Sequence, residues 1–298
     1  MGIPPPGTSS FGKKRGNSVL LDTLHNRVEL TGDLICHTAA RIGAGRSNEP
    51  VGTDLPVIKD ATGRPFIPGS SLKGVLRTYV ESLVRAMYPS NRKAACLPVG
   101  QDTDWCLSPA EVEGLRDQDQ AIYDQSCWVC QAFGSPWFAS KIQVRDALVG
   151  DLWFGQYQVR DGVAIDRDTQ TAADGFKYDY EVVPAQTRFT VSILAENLTD
   201  DQVGMLCAGL RPFERQEIGI GGHRSRGLGV VELRWLERKR FAVEGDLDRL
   251  FGFIEGRDDV WTSLTDTDIR DVFFKAFRDK LQNPPQQGEA PHAQTTPE

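Results

Sequence analysis

The spacing of hydrophobic and polar residues predicts a succession of strands and helices along this chain. Within residues 27–37, Val28, Leu30, Leu34 and Cys36 lie on one face of an alternating segment, and polar residues lie on the other. A period of two places one face of a strand against the core and leaves the other in contact with water. We therefore expect a half-buried strand, with the Cys36 thiol packed in the core as free cysteines commonly are.

A long amphipathic helix is predicted after a loop that contains Pro65, Pro68 and Gly69. Its apolar face consists of residues at helical spacing, namely Leu72, Val75, Leu76, Tyr79, Val80, Leu83, Val84 and Met87. We expect Ser70 or Ser71 to cap its N-terminus. Lys73 in the first turn opposes the helix dipole, so free amides, two serines and a lysine suit a bound anion such as phosphate. An ordinary capped helix with a solvated lysine fits the same residues.

The later part of the chain continues the pattern of short strands. Strands are expected at residues 142–152, 188–194 and 228–236. Residues 162–168 and 176–183 alternate on either side of a turn, which predicts a hairpin with Arg167 and Lys177 near its tip.

Two further helical regions complete the prediction. Residues 199–202 have a capping-box sequence, and the helix that they open places Cys207 on its apolar face, in the core. Apolar residues at helical spacing within 246–281 predict helices that pack on the core or on a neighbouring subunit. The order of strand, helix, insert, strands, helix and strand is an α+β pattern, compatible with a ferredoxin-like, RNA-recognition-type core.

These elements divide the chain into one core with additions. Residues 1–25 are expected to form a flexible arm, 26–240 the core, 241–282 a helical extension and 283–298 a disordered tail. The core would carry an insertion at 90–135 and a thumb-like hairpin at 160–185.

Composition and charge limit the classes of function. The chain has 298 residues, of which 40% are hydrophobic and 25% charged, as in ordinary globular proteins. Its apolar runs are too short to span a bilayer, and the N-terminus lacks the apolar segment of a signal peptide, so we expect a cytoplasmic protein without a membrane partner. The net charge of −7 argues against indiscriminate nucleic-acid binding but permits a local basic groove.

Two glycine-rich basic loops are candidates for such a groove. The first, residues 40–46, contains Arg41, and the second, residues 217–229, contains His223, Arg224 and Arg226. Residues 211–240 hold seven arginines and one lysine against four glutamates, a local excess of positive charge. The glycines around Arg224 and Arg226 indicate a close approach of the backbone to another group. A flexible or solvated turn remains the alternative for each loop.

Four cysteines in the insertion are candidate metal ligands. Cys127 and Cys130 form a C-x2-C pair, and Cys96 and Cys106 precede it, which gives the four thiolates of a closed tetrahedral zinc site. We expect one structural zinc, because a polar insert with little core pattern would need a metal to fold. Four unrelated cysteines, or a redox pair at Cys127 and Cys130, are the alternatives.

Five segments in the same order resemble the RAMP superfamily of CRISPR-associated proteins, and in particular the guide-binding backbone subunits of type III complexes of the Csm and III-D kind. They are VGTDLPVIKD (51–60), FIPGSSLKGVLR (66–77), GVAIDRDTQTA (162–172), YEVVPAQTRF (180–189) and GIGGHRSRGLG (219–229). The cysteine insert is similar to the zinc knuckles of III-D-like members. The chain departs from the family at Arg41, which stands where a histidine proposed to contact RNA is often found.

The resemblance implies a role in antiviral ribonucleoproteins. Copies or paralogues of such a subunit stack along a CRISPR RNA beside other effector subunits, and the hairpin thumbs kink the duplex of guide and target RNA. Asp54 matches the aspartate that cleaves target RNA with Mg²⁺ or another divalent cation. A single carboxylate that holds a metal suffices for cleavage if the scissile phosphate is brought into line with the adjacent 2′-hydroxyl of the RNA. The implied RNA-binding residues are Arg41, Ser70, Ser71, Lys73, Arg77, Arg167, His223, Arg224 and Arg226.

Two other functions fit the same residues. The subunit would be a scaffold that binds guide RNA without cleaving the target if Asp54 is a turn residue, the usual role of a lone aspartate in a loop. A zinc-stabilised protein that binds a small anionic ligand would have one closed pocket and would be a monomer.

Overall fold

The computed structural model describes residues 21–46, 52–97, 104–115, 118–151 and 153–285. Most of the expected arm at 1–25, and the expected tail beyond residue 285, lie outside these residues. Flexibility of the arm and disorder of the tail therefore stay predictions.

Nine strands are present in the described part of the chain. They are β1 (Asn26–Cys36), β2 (Phe66–Ile67), β3 (Ile142–Val144), β4 (Ala147–Val149), β5 (Gln158–Ile165), β6 (Ala172–Val182), β7 (Arg188–Glu196), β8 (Val231–Ala242) and β9 (Thr262–Ser263). Seven of them form one sheet in the order β2-β4-β7-β1-β8-β9, with β3 also paired to β7. The pairings in this sheet are antiparallel, so the expected α+β class is confirmed.

The helices lie between the strands and after them. They are α1 (Gly69–Met87), α2 (Pro109–Gly114), α3 (Asp119–Gln125), α4 (Trp128–Phe133), α5 (Asp200–Glu214), α6 (Leu247–Ile254), α7 (Asp266–Asp268) and α8 (Phe274–Gln282), and a π-type turn, Ile269–Phe273, joins α7 to α8. Within the described residues, no helix is both long and apolar enough to cross a membrane.

The central strand and the two long helices follow the predicted patterns. Val28, Leu30 and Leu34 of β1 are at most 2% exposed, and Cys36 is completely buried, as expected. The helix α1 packs against α5 so closely that a Cβ on Gly209 of α5 would come within 2.6 Å of side chains of α1. The capping box that was predicted for α5 is also present.

Three local predictions were wrong. The N-cap of α1 is Pro68, without a side-chain cap bond, so neither Ser70 nor Ser71 caps this helix. Met87, which was assigned to the apolar face, is 60% exposed because it occupies the last turn. The single strand expected at 142–152 is interrupted at Arg145 and Asp146, where the register against β7 shifts by one residue, so that β3 and β4 are separate strands that both pair with β7.

The C-terminal extension is helical, but it also adds a strand to the sheet. The strand β9 pairs with β8, which the helical pattern did not predict. Ile269, Phe273 and Phe277 are buried, and the backbone of Phe273 lies against Gly204 of α5. The helix α6 instead exposes three apolar side chains, those of Leu247, Phe251 and Ile254, by 52–66%.

Candidate RNA interface and metal centre

Asp54 lies in an exposed loop that is tied to the base of the β5–β6 hairpin. The backbone N–H of Asp54 donates to Oδ1 of Asp179 at 2.7 Å, and the N–H of Asp179 donates to Oδ2 of Asp54 at 3.1 Å. The N–H of Glu181 donates to the carbonyl of Leu55 at 3.1 Å, and the N–H of Val57 donates to the Glu181 carboxylate at 3.0 Å. These bonds hold the loop and the strand β6 in one register.

The two glycine-rich basic loops pack against each other. The N–H of Gly222 donates to the carbonyl of Arg41 at 2.8 Å, and a Cβ on Gly221 would lie 2.1 Å from that same oxygen. The close approach that the glycines indicated is therefore, at Gly221, an approach to the first loop of the same chain. The packing places Arg41 and His223 in one site.

Both of these residues have a buried polar atom that lacks a partner. Among the described residues, Nε of Arg41 and Nδ1 of His223 are buried without a hydrogen bond. Buried polar atoms are nearly always paired, so these two atoms need partners that the described residues do not supply. Burial, and then the charges of Arg41 and Arg226, lower the pKa of His223. His223 is consequently neutral at pH 7, suited to stacking and hydrogen bonding more than to neutralising phosphate.

Aromatic residues of β6 connect the second loop to the hairpin. Arg226 donates to the hydroxyl of Tyr178 at 2.7 Å, and the rings of Tyr180 and His223 lie 4.6 Å apart. Since Tyr178 and Tyr180 flank Asp179, these contacts join the loop that carries Arg226 to the position of Asp54. These contacts bring two carboxylates, a guanidinium and aromatic rings to one segment of β6, residues 178–180.

The N-terminus of α1 meets an internal carboxylate. Oδ1 of Asp146 accepts from the N–H of Gly69 at 2.7 Å, and a Cβ on Gly69 would lie 2.1 Å from the carbonyl of Val144. Asp146 therefore satisfies the first amide that an external phosphate was expected to bind. Ser70 and Ser71 are exposed, and Lys73 is half-buried. Desolvation, together with the charge of Arg77, lowers the pKa of Lys73.

The remaining candidates for RNA contact have different surroundings. Arg77 donates to the Glu81 carboxylate at 2.8 Å, to the Gly134 carbonyl at 3.0 Å and to the Cys130 sulfur at 3.2 Å. Its guanidinium thus lies at the cysteines. Arg224 is exposed in a 3₁₀ turn, and Arg167 is exposed in the turn between β5 and β6, as expected.

The four cysteines of the insertion converge on one point. The sulfurs of Cys96, Cys106, Cys127 and Cys130 all lie within 4.8 Å of one another, and all four residues are buried. The sulfur of Cys96 is 3.6 Å from that of Cys130 and 3.7 Å from that of Cys127. Four sulfurs around one zinc, at about 2.3 Å from the metal, would be about 3.8 Å apart. The geometry of the cluster therefore fits a tetrahedral metal ion.

Hydrogen-bond donors surround these sulfurs. The N–H of Cys130 donates to the sulfur of Cys127 at 3.4 Å, and Arg77 supplies a cation beside Cys130. Bonds from the other three thiols lower the pKa of Cys106, whereas burial raises that of Cys127. Cys36 and Cys207 lie outside the cluster, and burial in the core raises the pKa of each thiol to about 12.

Most of the chain matches a known protein family. Residues 33–232 match the model of the RAMP superfamily, a span that includes both basic loops, Asp54, the cysteine insertion and the hairpin. The chain belongs to the RAMP superfamily. The extension after residue 240 lies outside the match to this family.

Curated relatives of this RAMP chain are named CRISPR system Cms endoribonuclease Csm3. The protein from Methanocaldococcus jannaschii is 47% identical over 218 residues, 71% of this chain and 80% of the relative. The protein from Methanothermobacter thermautotrophicus is 24% identical over 72% of this chain and 86% of its own length. The protein from Enterococcus italicus is 23% identical over 76% of this chain and 97% of its own length.

Sequence reasoning missed two residues of the site in this RAMP chain. Asp179 and Tyr178 lie in a strand that was predicted, but their contacts are to residues far away in sequence. The alternation of tyrosine with acidic residues in YDYE (178–181) was the available signal, since a strand places Tyr178 and Tyr180 on one face and Asp179 on the other.

Proposed function

We propose that this protein is a backbone subunit of a type III CRISPR ribonucleoprotein, which binds CRISPR RNA and cleaves complementary target RNA at Asp54. The observation that carries the proposal is the junction of the two basic loops with the base of the hairpin. Arg226 and His223 contact Tyr178 and Tyr180 there, the two neighbours of Asp179 in β6, and within the described part of the chain Nε of Arg41 and Nδ1 of His223 are buried and unpaired. The Csm3 endoribonucleases among its relatives support the same activity.

The two glycine-rich loops would hold the guide strand. Arg41, Arg224 and Arg226 contribute charge to phosphates, and the exposed Ser70 and Ser71, with Lys73, extend the surface toward the α1 N-terminus. Arg77 is not part of this proposal, because its guanidinium donates to three internal acceptors. The ring of His223 beside Tyr180 suits stacking against a base.

The hairpin would act as the thumb that separates segments of the duplex. Its two strands pair from Gln158↔Val182 to Ile165↔Ala172, and most of the described side chains of β5 are exposed, as expected of an element that projects from the core. Arg167 at its tip would contact RNA. The strand order β4-β7-β1-β8, with α1 and α5 between strands in sequence, supports a ferredoxin-like core.

Cleavage would follow from the position of Asp54. The exposed carboxylate of Asp54 and the half-buried carboxylate of Asp179 would lie beside the proposed phosphate-binding surface, and a divalent cation such as Mg²⁺ would stabilise the charge of the scissile phosphate there. The bonds to Asp179 hold the Asp54 backbone in place. The contacts between loops and hairpin would keep the kinked RNA in line, so that its own 2′-hydroxyl attacks.

The cysteine cluster would hold one structural zinc. Four buried sulfurs at distances that match tetrahedral coordination leave no open ligand position, which is the arrangement of a structural site. The zinc would connect the insertion to α1, since Arg77 bridges the cluster and that helix.

Further copies or paralogues of the chain, and other effector subunits, would be its protein partners. The exposed apolar face of α6 supports a contact between subunits. A scaffold that binds guide RNA without cleavage is the second candidate, favoured by the bond that gives the Asp54 carboxylate a structural partner at Asp179.

Co-expression with the products of neighbouring genes tests the proposal. A short RNA of CRISPR-repeat origin should co-purify with the complex, and the subunit should sediment with RNA as a multimer. A monomer that sediments alone, without bound RNA, would contradict it.

A further inference from the structure

The side chain of Tyr178 lies between the second basic loop and the hairpin. Its hydroxyl accepts a hydrogen bond from Nη1 of Arg226 at 2.7 Å. Tyr178 is half-buried, whereas Arg226 is exposed, so the other N–H groups of the guanidinium can still donate to a phosphate. The residue that contacts the proposed guide-binding loop is therefore the direct neighbour of Asp179 in β6.

Gly162 in β5 makes room for this tyrosine. It pairs with Tyr178 across the hairpin, and a Cβ on Gly162 would lie 2.4 Å from Cζ of the Tyr178 ring. The ring therefore lies directly over the backbone of the opposite strand. Any side chain at position 162 would force the ring to move, so the glycine helps to fix the direction in which the hydroxyl points.

The strand β6 contacts two different loops through two successive residues. Successive side chains of a strand point to opposite faces. Tyr178 meets Arg226 on one face, and on the other face the carboxylate of Asp179 accepts from the N–H of Asp54 at 2.7 Å. One peptide unit separates the two contacts, so a displacement of β6 at Tyr178 also displaces the acceptor of the Asp54 N–H.

A small hydrophobic cluster, separate from the main core, surrounds this point. Its members come from the residue before the first basic loop, from the Asp54 loop, from β6 and from the second basic loop. They are Ala39, Leu55, Tyr178, Tyr180, Val182 and Leu228. Six side chains bury little apolar surface, so the position of the hairpin depends also on directed contacts such as the Arg226–Tyr178 bond.

We infer that Tyr178 is a positioning residue for cleavage, which links the placement of the second basic loop to Asp179 and through it to Asp54. The inference rests on the proposed function. A guide phosphate on Arg226 holds the guanidinium, the guanidinium holds the Tyr178 hydroxyl, and β6 is held with it. The cleavage loop is thus aligned when the guide strand is in place.

Hydrogen exchange in the RNA-loaded complex tests this link without reference to cleavage. Tyr178→Phe removes the hydroxyl and keeps the ring over Gly162. The amides of Asp54 and Asp179 should then exchange about 5- to 10-fold faster, whereas those of α1 should be unchanged. Tyr79→Phe, which removes a tyrosine hydroxyl from α1, is the control and should leave both amides as protected as in the parent. Equal protection in Tyr178→Phe and the parent would overturn the inference.

Single-turnover cleavage tests the consequence for the reaction. Tyr178→Phe should lower the rate at saturating target by about tenfold, while the guide content and the target concentration that gives half the maximal rate stay those of the parent. Gly162→Ala should lower the same rate although it keeps the hydroxyl, because the added Cβ displaces the ring. A loss of guide or of target affinity that accounts for the lower rate, or parent-like rates in both variants, would refute a positioning role.

Asp54→Ala in the same assay separates this inference from the proposed function. If Asp54→Ala abolishes cleavage and Tyr178→Phe cleaves like the parent, only the role of Tyr178 is wrong. If Asp54→Ala cleaves like the parent, the proposed cleavage at Asp54 is wrong, and the role of Tyr178 in it falls as well.

Discussion

Asp54 and Asp179 lie 125 residues apart in sequence, and each carboxylate accepts the backbone N–H of the other residue. This reciprocal pair joins the loop before β2 to the base of the hairpin. Any displacement of β6 is therefore transmitted to Asp54. The relationship explains how a lone aspartate in an exposed loop can have a defined position.

Replacement of Asp179 tests whether this pair positions Asp54. Asp179→Ala removes the acceptor for the Asp54 N–H and should lower the rate of target cleavage by about 10- to 100-fold, because a small displacement misaligns the scissile phosphate. Asp179→Asn keeps an acceptor oxygen and should restore most of the rate. Guide binding should be unchanged in both. An alanine variant as active as the parent would show that Asp179 has no positioning role.

Metal analysis tests the cysteine cluster. The purified protein should contain about one zinc per chain, and Cys106→Ser should lose it, with a lower melting temperature, because the insertion folds around the metal. Cys207→Ala is the matched control, a buried cysteine outside the cluster, and should retain the full zinc content. Chelation should lower the melting temperature of the parent. A metal-free parent of unchanged stability is the result that would refute a structural zinc.

The salt dependence of RNA binding tests the basic loops. The double variant Arg224→Ala/Arg226→Ala should bind every guide sequence more weakly, and the slope of log affinity against log salt should fall by about one for each lost phosphate contact. Arg270→Ala, which removes an exposed arginine paired with Asp271, should leave the slope unchanged. An unaltered slope in the double variant would argue against a phosphate contact at either arginine.

The burial of Lys141 should make the stability of the protein depend on pH. Its ammonium group is buried beside the Tyr123 hydroxyl and the Asn197 carbonyl, and desolvation lowers its pKa to about 8. Between this pKa and the unfolded value of about 10.4, the unfolded chain binds more protons, so the free energy of unfolding should rise with pH. The rise from about pH 7.5 to about pH 9.5 should be roughly 1–2 kcal/mol.

Denaturant titrations of the parent and of Lys141→Met at both pH values measure this contribution. The variant has no titrating ammonium group at this position, so its curve should be flatter than that of the parent. Identical pH profiles would mean that Lys141 titrates normally.

The elements with long periodic patterns were predictable, and those that depend on distant contacts were not. The alternation in β1 and the apolar face of α1 specify which face is buried, because one face of each must pack in the core. The number of cysteines and the pair at Cys127 and Cys130 indicated a metal site, and the four sulfurs do converge.

Glycines and arginines were the harder residues to interpret from sequence. A glycine signals a close approach of the backbone but not what approaches, and at Gly69 and Gly221 the approaching group belongs to the same chain. Arg77 follows Ser70 and Ser71 by only a few residues in α1, yet its guanidinium lies at the cysteine cluster. These outcomes depend on tertiary packing, which local patterns do not encode.

The central claim, that Asp54 cleaves target RNA, is tested most directly by the site-specific cleavage of a labelled target by complexes that contain Asp54→Ala. Guide binding and assembly should remain intact, while cleavage at the positions that this subunit faces should fall by about 100-fold or more. EDTA should have the same effect on the parent complex. The control variant Asp151→Ala removes a fully exposed acidic residue and should leave cleavage unchanged. Cleavage by the Asp54→Ala complex at the same positions and rate as the parent would contradict the account and leave the subunit as a scaffold.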